Sequence, residues 1–498
     1  MASSCFSSSF SSSSPLLNTK RGAQIVSDFH GCSRLSFKEV IVEMKMLYTI
    51  AFPMIITGLL IYGKSLISML FLGNLGKDAL AGGSLAIAIA NISGYSVIYG
   101  LALGMEPISS QAFGAKQWPV LSQTLQRTLL LLSLACIPIS ILWLNIQPFL
   151  LFFNQDSSIS AVAAPYLAFS LPSLLFQSLI NPLKIYLRAQ NIISPIMSSA
   201  AVALALHVPT AYLLVAHLRL GVPGVALASA AADLAQLTTL LSHVDNLSSL
   251  GGGGGTATST QEWRALLKLA LPSCVAVCLE WWWYEIMILL AGVLPHAAES
   301  VSCMGILIQA TSLAYVFPSA LGLAASVRVG NELGAAQPGR ARGASLVAVA
   351  CAAATSLATS SSMLALAVAW SRAFTDDKAV VALTAALMPV VGLCELGNCP
   401  QTTGCGVLRG SARVSLSAHI NVGSFYGVGL PLAIWMGFVM EMGLLGLWLG
   451  LLGAQIVCAM LMVWILSTTD WIVEAHRARQ LIGMEFEDQG LASIKTFS

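Results

Sequence analysis

Long apolar runs alternate with short polar segments along most of the 498-residue chain. Twelve of these runs reach about 20 residues or more, the length that a helix needs to cross about 30 Å of hydrocarbon. Their approximate limits are 46–72, 79–104, 121–143, 159–181, 193–216, 222–242, 263–294, 300–323, 343–369, 379–400, 414–436 and 443–467. The pattern predicts an all-α membrane protein with twelve transmembrane helices.

Polar segments divide this pattern into two halves. Residues 1–45 are polar and serine-rich, and they predict a disordered cytosolic N-terminal tail. A transit peptide is the alternative for residues 1–40, because they are rich in serine and contain few acids. Residues 243–262 separate the sixth run from the seventh and contain five consecutive glycines, which is typical of a flexible linker. We therefore expect an N-lobe over 46–242, a C-lobe over 263–467 and a C-terminal tail over 468–498.

Short motifs of the first half recur in the second half, in the same order and about 220 residues later. The pairs are Ala51–Pro53 with Ala270–Pro272, Gln111–Ala115 with Asn331–Ala335, Leu187–Ala189 with Leu408–Gly410, and Gly221–Val225 with Gly443–Leu447. Six spans in each half give both halves the same topology, so the repeat is parallel. Paired bundles of this kind bind a substrate between them and alternate access by rocking.

Composition and charge agree with a bilayer protein. Charged residues make up 9% of the chain, against about 25% in soluble domains. Lys and Arg concentrate on the side of the N-terminus, which predicts that both termini are cytosolic. The plasma membrane and the endomembranes (Golgi, late endosome or vacuole) all fit this topology. The net charge of +2 and the scattered cysteines give no reason to expect nucleic acid or a metal site.

The seventh run carries unusual polar and aromatic residues, in the order Leu279-Glu280-Trp281-Trp282-Trp283-Tyr284-Glu285. A charged carboxylate in mid-bilayer costs about 2.5–3.5 kcal/mol on insertion scales. Protonation removes most of that cost, so such a group can take up a proton on one side and release it on the other. Glu280 and Glu285 are therefore candidates for proton coupling, and structural pairing with a neighbouring helix is the alternative.

A second polar patch lies in the tenth run. Glu395 and Asn398 are three residues apart and so share one helical face. The first half offers Lys64, which either lines a cavity or extends to the interface, and Glu106, which lies near the cytosolic end of its span. The distribution of acids favours a coupling site in the C-terminal half, with Glu395 as its second member and Asn398 in the substrate cavity.

Aromatic residues and prolines complete the candidate site. Trp281, Tyr284 and Tyr315 would line a substrate cavity and would suit planar organic cations through apolar burial and cation–π attraction. At most one or two of the three consecutive tryptophans can face such a cavity. Pro53 and Pro272 occupy matching places in the two halves, where each produces either a movable kink for alternating access or a static bend.

Together these motifs resemble the multidrug and toxic compound extrusion (MATE) transporters of eukaryotes. The resemblance rests on Pro272–Glu285, Gln111–Lys116, Arg328–Ala335 and Gly406–Gly410. Gly104–Pro107 and Cys394–Thr402 are similar to the plant detoxification-type branch. The resemblance implies a twelve-helix, two-lobe antiporter that expels organic solutes against proton or sodium entry.

The resemblance also implies site residues. The acid of the family's seventh helix matches Glu280, and the next acid on that helix matches Glu285. The acid of its tenth helix falls at Asn398, so Glu395, one turn away, would have to substitute for it. The aspartate that some prokaryotic members use in the first helix falls near Ser68, so we do not expect an N-lobe ion site of that type.

We therefore predict a monomeric proton-coupled antiporter of xenobiotics, secondary metabolites or hormones, without a cofactor and with a proton gradient as its energy source. A lipid flippase and a channel of similar architecture are the alternatives. An enzyme is not expected, because the sequence contains neither HExxH nor GxSxG. The lack of a Walker motif likewise argues against ATP as the driving force.

Overall fold

The computed structural model describes residues 36–152, 157–243 and 260–483, and these residues form helices without any strand. Eleven helices are long and apolar enough to cross a membrane, and a pair of helices bent by 47° supplies a twelfth span. The spans are α1 (Phe37–Asn74), α2 (Asp78–Gly114), α3 (Trp118–Leu144), α4 (Ser157–Phe169 and Leu171–Ala189), α5 (Ser194–His217), α6 (Val222–His243), α7 (Thr260–Ala291), α8 (Glu299–Gly334), α9 (Pro338–Arg372), α10 (Lys378–Gly410), α11 (Val414–Val439) and α12 (Leu444–Ser467). The predicted all-α fold with twelve membrane helices is confirmed.

Several helices extend beyond their apolar runs. Helix α1 begins at Phe37, so residues 37–45, which we assigned to the N-terminal tail, are helical, and the Glu39 carboxylate accepts a hydrogen bond from the backbone N–H of Ser36 at 2.8 Å. A further helix, α13 (Trp471–Leu481), lies within the predicted C-terminal tail and is capped by Asp470. Hydropathy misses such ends because polar turns of a helix can leave the hydrocarbon without breaking. Residues 1–35 and 484–498 of the tails and residues 244–259 of the linker lie outside the described residues.

Two clusters of buried side chains form the cores of the lobes. The larger cluster includes Leu47, Leu132 and Leu240 in the N-lobe (α1–α6) and continues into α7 and α8. The other belongs to the C-lobe (α7–α12) and includes Trp283 and Trp448. The continuity of the first core across the boundary shows that the lobes are packed against each other.

The lobes pack tightly at the end of the bundle that carries the start of α1, the end of α12 and the α2–α3, α4–α5, α8–α9 and α10–α11 connections, which we call the basic end. A Cβ atom on Gly114 would collide with the backbone of Asn331, and one on Gly334 would collide with the backbone of Gln111. Gln111 Nε2 also donates to the carbonyl oxygen of Gly410 at 2.9 Å. These repeat-related contacts need glycine because the backbones of α2 and α8 touch.

The interface continues towards the middle of the bundle between α2 and α7. A Cβ atom on Gly104 would collide with the backbone of Ala270, and one on Gly100 would collide with Cys274. This close approach places Ala270 and Cys274, on either side of Pro272 in the sequence, directly against the N-lobe. The side chains that follow Cys274 on α7 face different parts of the protein, as described below.

Candidate functional site

A cavity of about 450 Å³ lies in the N-lobe, a volume that suits a drug-sized solute. Helices α1, α2, α4, α5 and α6 provide most of its wall, and α7 and α8 reach it through Trp281 and Leu323. The apolar part of the wall includes Met54, Leu60, Ile61, Ile87, Ile185 and Leu204. The cavity therefore adjoins the boundary between the lobes.

Lys64 lines this cavity as one member of an ion pair. Its Nζ lies 2.6 Å from Oδ1 of Asp233 on α6, and the hydroxyl of Ser173 donates to the other oxygen of that carboxylate. The sequence signal for Asp233 is an acid in the middle of the sixth apolar run, a signal that the predictions above do not use. The N-lobe thus has an acid inside it, contributed by α6 instead of by the first helix.

One face of α4 presents a row of polar side chains to the cavity. Gln177, Asn181, Lys184 and Arg188 follow the i, i+4, i+7, i+11 spacing of a helical stripe, and all four line the cavity. The fourth apolar run ends near residue 181, whereas α4 continues to Ala189 and so carries both cations within the helix.

Arg188 also takes part in a charge cluster between the lobes. Its Nη2 lies 3.3 Å from Oε2 of Glu106, and Nη1 of Arg409, from the C-lobe, lies 3.5 Å from the same oxygen. Glu106 is fully buried. In the sequence Glu106 lies near the cytosolic end of its span, and in the structure that end is where the lobes meet.

A second charge cluster joins the lobes nearer the basic end. The guanidinium of Arg328 on α8 makes a two-point contact with Glu43 on α1, with distances of 2.8 and 2.9 Å. Arg328 also pairs with Glu332, one turn further along α8, at 2.8 Å. Two-point arginine–carboxylate pairs are geometrically specific. The described structure is therefore closed between the lobes at the basic end.

Glu280 faces a small cavity of about 30 Å³ at the lobe boundary. Arg409, Ser417 and Asn421 line the same cavity. Tyr315 on α8 lies near the Glu280 carboxylate, and it is not part of the wall of the large cavity. The structure thus separates Glu280 from the large cavity and places it next to a cation of the interlobe cluster.

Glu395 is buried in the C-lobe within a chain of polar side chains. Asn398 Nδ2 donates to Glu395 Oε2 at 2.9 Å, and Thr402 donates to Asn398 Oδ1 at 3.4 Å. Thr402 also reaches Gln401 at 3.5 Å, and Gln401 in turn donates to Asn421 at 3.4 Å. Because Asn421 lines the small cavity of Glu280, this chain leads from one candidate acid towards the other.

The three consecutive tryptophans have different environments. Trp281 lines the large cavity and stacks on Tyr99 with ring centroids 6.4 Å apart. Trp282 is partly exposed at the outside of the bundle, and its indole N–H donates to the carbonyl oxygen of Ile92. Trp283 is fully buried in the C-lobe against Phe425. One tryptophan therefore faces the large cavity.

The remaining candidates lie apart from this group. Glu285 is partly buried and has no polar partner among the described residues. Tyr284 packs on the C-lobe core, with Glu280 and Glu395 as its charged neighbours. Pro53 lies inside α1 and Pro272 inside α7. Among the described residues, no group of three or more His, Cys, Asp or Glu side chains is arranged to hold a metal ion.

Comparisons with known proteins give a consistent result. The MatE family model matches residues 53–213 and 272–435, once in each half of the chain. Protein DETOXIFICATION 48 of Arabidopsis thaliana is 52% identical over 449 residues, which cover 90% of this chain and 84% of that protein. Protein DETOXIFICATION 51 of the same plant is 50% identical over 445 residues, covering 89% of this chain and 84% of that relative.

Solved structures agree with the fold. The eukaryotic MATE transporter AtDTX14 matches with a TM-score of 0.84 and 29% identity, over 89% of this chain and 99% of that one. The MATE transporter VcmN of Vibrio cholerae, in its bent form, matches with a TM-score of 0.75 and 17% identity, over 89% and 99% of the two chains. At the lower identity the similarity supports the fold alone.

Proposed function

The chain belongs to the MatE family and is a multi-pass membrane transporter, not an enzyme, and we propose that it is a proton-coupled antiporter of organic solutes. The name of its relatives, DETOXIFICATION, supports xenobiotics as cargo. Secondary metabolites and hormones are the other classes of organic solute that we propose. The presence of both lobes in one chain supports a monomer as the working unit, with rocking of the lobes as the means of alternating access.

The observation that carries this proposal is the position of Arg409 between two acids. Arg409 approaches Glu106 at 3.5 Å and also lines the small cavity of Glu280. An ionised Glu280 competes with Glu106 for this cation, whereas a protonated Glu280 leaves Arg409 to Glu106. Because Glu106 joins the two lobes, the proton on Glu280 changes the strength of the interlobe contact.

Glu395 would share in this coupling through the polar chain that leads to Asn421. Asn398, Thr402 and Gln401 separate the two acids. Asn398 and Gln401 each donate and accept within the chain, and the hydroxyl of Thr402 donates to Asn398 or to Gln401. A proton could thus be held at either acid without exposing an ionised group to hydrocarbon. Coupling of this kind is reciprocal. If the bound proton lowers the affinity for the substrate, the bound substrate lowers the affinity for the proton by the same factor.

The direction of transport follows from the charge of the loops. The connections at the basic end are rich in Lys and Arg, which supports a cytosolic location for this end. The described conformation, closed at the basic end by the Glu106 and Arg328 clusters, would then be the one that faces away from the cytosol. Export or sequestration of the solute is the direction that we propose.

The test is solute transport by the full-length protein in proteoliposomes under an imposed pH gradient. A panel of fluorescent organic solutes and an internal pH dye would be followed together, with a sodium gradient as a comparison. We expect Glu280→Gln to abolish pH-driven transport, while the control Glu299→Gln, at an exposed position on α8, transports like the wild type.

Undiminished pH-driven transport by Glu280→Gln would contradict the proposal. Movement of fluorescent lipid analogues without a gradient would instead favour a flippase. A steady conductance that does not depend on a counter-ion would favour a channel.

A further inference from the structure

The charge of the large cavity is unbalanced. Among the described residues that line it are the cations Lys64, Lys184 and Arg188, and a single acid, Asp233. Lys64 occupies Oδ1 of Asp233, and Ser173 occupies Oδ2. The acid of the cavity is therefore already committed to Lys64 and cannot compensate the other two cations.

Lys184 has no ion pair or hydrogen bond with the described residues. Its charged neighbours are Asp233, Lys64 and Arg188, of which two are positive. A cation in a low-dielectric site without a partner is costly unless a counter-charge is supplied. The protein offers no such counter-charge within the described part of the cavity, so an anion that enters would supply it.

Arg188 provides a second cationic group on the same helical face, one turn beyond Lys184. Its side chain is only 3% exposed, and its Nε has no hydrogen-bond partner in the described residues. Its ion pair with Glu106, at 3.3 Å, leaves this donor unused. A guanidinium matches the geometry of a carboxylate or another oxyanion with two acceptor oxygens.

The rest of the cavity fits the body of an amphiphilic anion. Gln177 and Asn181 continue the polar row of α4 above Lys184, and their amides can donate to the acid group. The opposite wall is apolar and aromatic, with Tyr95, Tyr99, Tyr166 and Trp281. Such a wall buries an aromatic or aliphatic skeleton while the polar row fixes its orientation.

We propose that the substrate is an organic anion, with an apolar or aromatic body and one carboxylate-like group held by Lys184 and Arg188. This inference rests on the proposed transport function and names its class of cargo. It replaces the organic cation that the aromatic residues alone had suggested. The anion would also compete with Glu106 for Arg188, so binding of cargo would act directly on the contact between the lobes.

Two probes with the same body and fixed opposite charges test this class. Naphthalene-2-sulfonate and trimethyl(2-naphthyl)ammonium keep their charges at every working pH. Their binding to the purified full-length protein in lipid nanodiscs would be measured by calorimetry, without any gradient. We expect the sulfonate to bind about tenfold more tightly or better, as for one hydrogen-bonded charge.

Matched variants locate the effect. Lys184→Gln should weaken sulfonate binding about tenfold, and Lys184→Arg should retain it, because the charge rather than the shape is needed. Lys268→Gln removes the same charge from an exposed position on α7 and should change nothing. Equal or tighter binding of the ammonium probe, binding of neither probe, or an unchanged sulfonate affinity in Lys184→Gln would each overturn the inference.

The outcome is separable from that of the proposed function. Transport driven by a pH gradient, but without a preference for anions, would leave the antiport proposal standing and overturn the substrate class. Tight binding of the sulfonate that depends on Lys184, without any pH-driven transport, would support the class and contradict the antiport.

Discussion

Arg188 and Arg409 occupy the same place in the two sequence repeats and meet on one carboxylate, that of Glu106, at 3.3 and 3.5 Å. One arginine comes from each lobe, and Glu106 is inaccessible to solvent. Arg188 lines the large cavity and Arg409 lines the small cavity of Glu280. The pair of arginines thus connects the cavity for cargo, the candidate proton site and the contact between the lobes.

Replacing Glu106 tests how much this charge cluster stabilises the described conformation. Glu106→Gln leaves two arginines facing each other without their shared counter-charge, and breaking a buried pair in this way costs about 3–5 kcal/mol. We expect a lower melting temperature in lipid nanodiscs and a more accessible interface at the basic end. The exposed Glu299→Gln serves as the control. A melting temperature equal to that of the control would show that the cluster does not stabilise this conformation.

Gly334 tests the close approach of α2 and α8. Gly334→Ala places a methyl group where the backbone of Gln111 lies, so the basic end can no longer close as described. The matched control is Gly305→Ala on the same helix, where a Cβ atom has no neighbour within 4 Å. Distances between spin labels on the two lobes should lengthen at the basic end in Gly334→Ala only. Identical distance distributions in both variants would contradict this closure.

Lys64 and Asp233 should behave as a pair. Lys64→Met leaves the buried carboxylate of Asp233 uncompensated and is expected to destabilise the protein by about 3–5 kcal/mol. Asp233→Asn leaves the partly exposed ammonium of Lys64 unpaired and should cost less. The double variant removes both charges and should be less destabilised than the sum of the two single variants. Thermal unfolding of the wild type, the two single variants and the double variant completes this double-mutant cycle. Additive changes would show that the 2.6 Å contact contributes no coupling energy.

Glu395 and Asn398 allow a rescue experiment on proton coupling. Glu395→Gln should reduce pH-driven transport, because it removes the buried acid of α10. Adding Asn398→Asp restores an acid one turn away, at a residue that already contacts Glu395 at 2.9 Å. We expect the double variant to recover part of the pH-driven rate in proteoliposomes. Normal transport by Glu395→Gln alone would remove Glu395 from the mechanism.

Hydropathy alone was enough to predict the architecture. A run of about 20 apolar residues can satisfy its backbone hydrogen bonds in a bilayer only as a helix, so the twelve spans follow from the sequence. The recurrence of motifs such as Leu187–Ala189 and Leu408–Gly410 predicted two related halves. The sequence also singled out Lys64 and Glu280 because charge is rare in such spans, although their roles stay predictions.

Tertiary structure decided which polar groups converge. Lys184 and Arg188 look like loop cations in the sequence because the apolar run ends before them, whereas the continued α4 helix places Lys184 in the cavity wall and buries Arg188. Asp233 pairs with Lys64 of α1, and Glu106 pairs with Arg409 of the opposite lobe. These partners are far apart in the sequence, so no local pattern predicts the pairs. The physical reason is that hydropathy measures the cost of placing one segment in lipid, while the charge of a cavity depends on the side chains that distant helices bring to it.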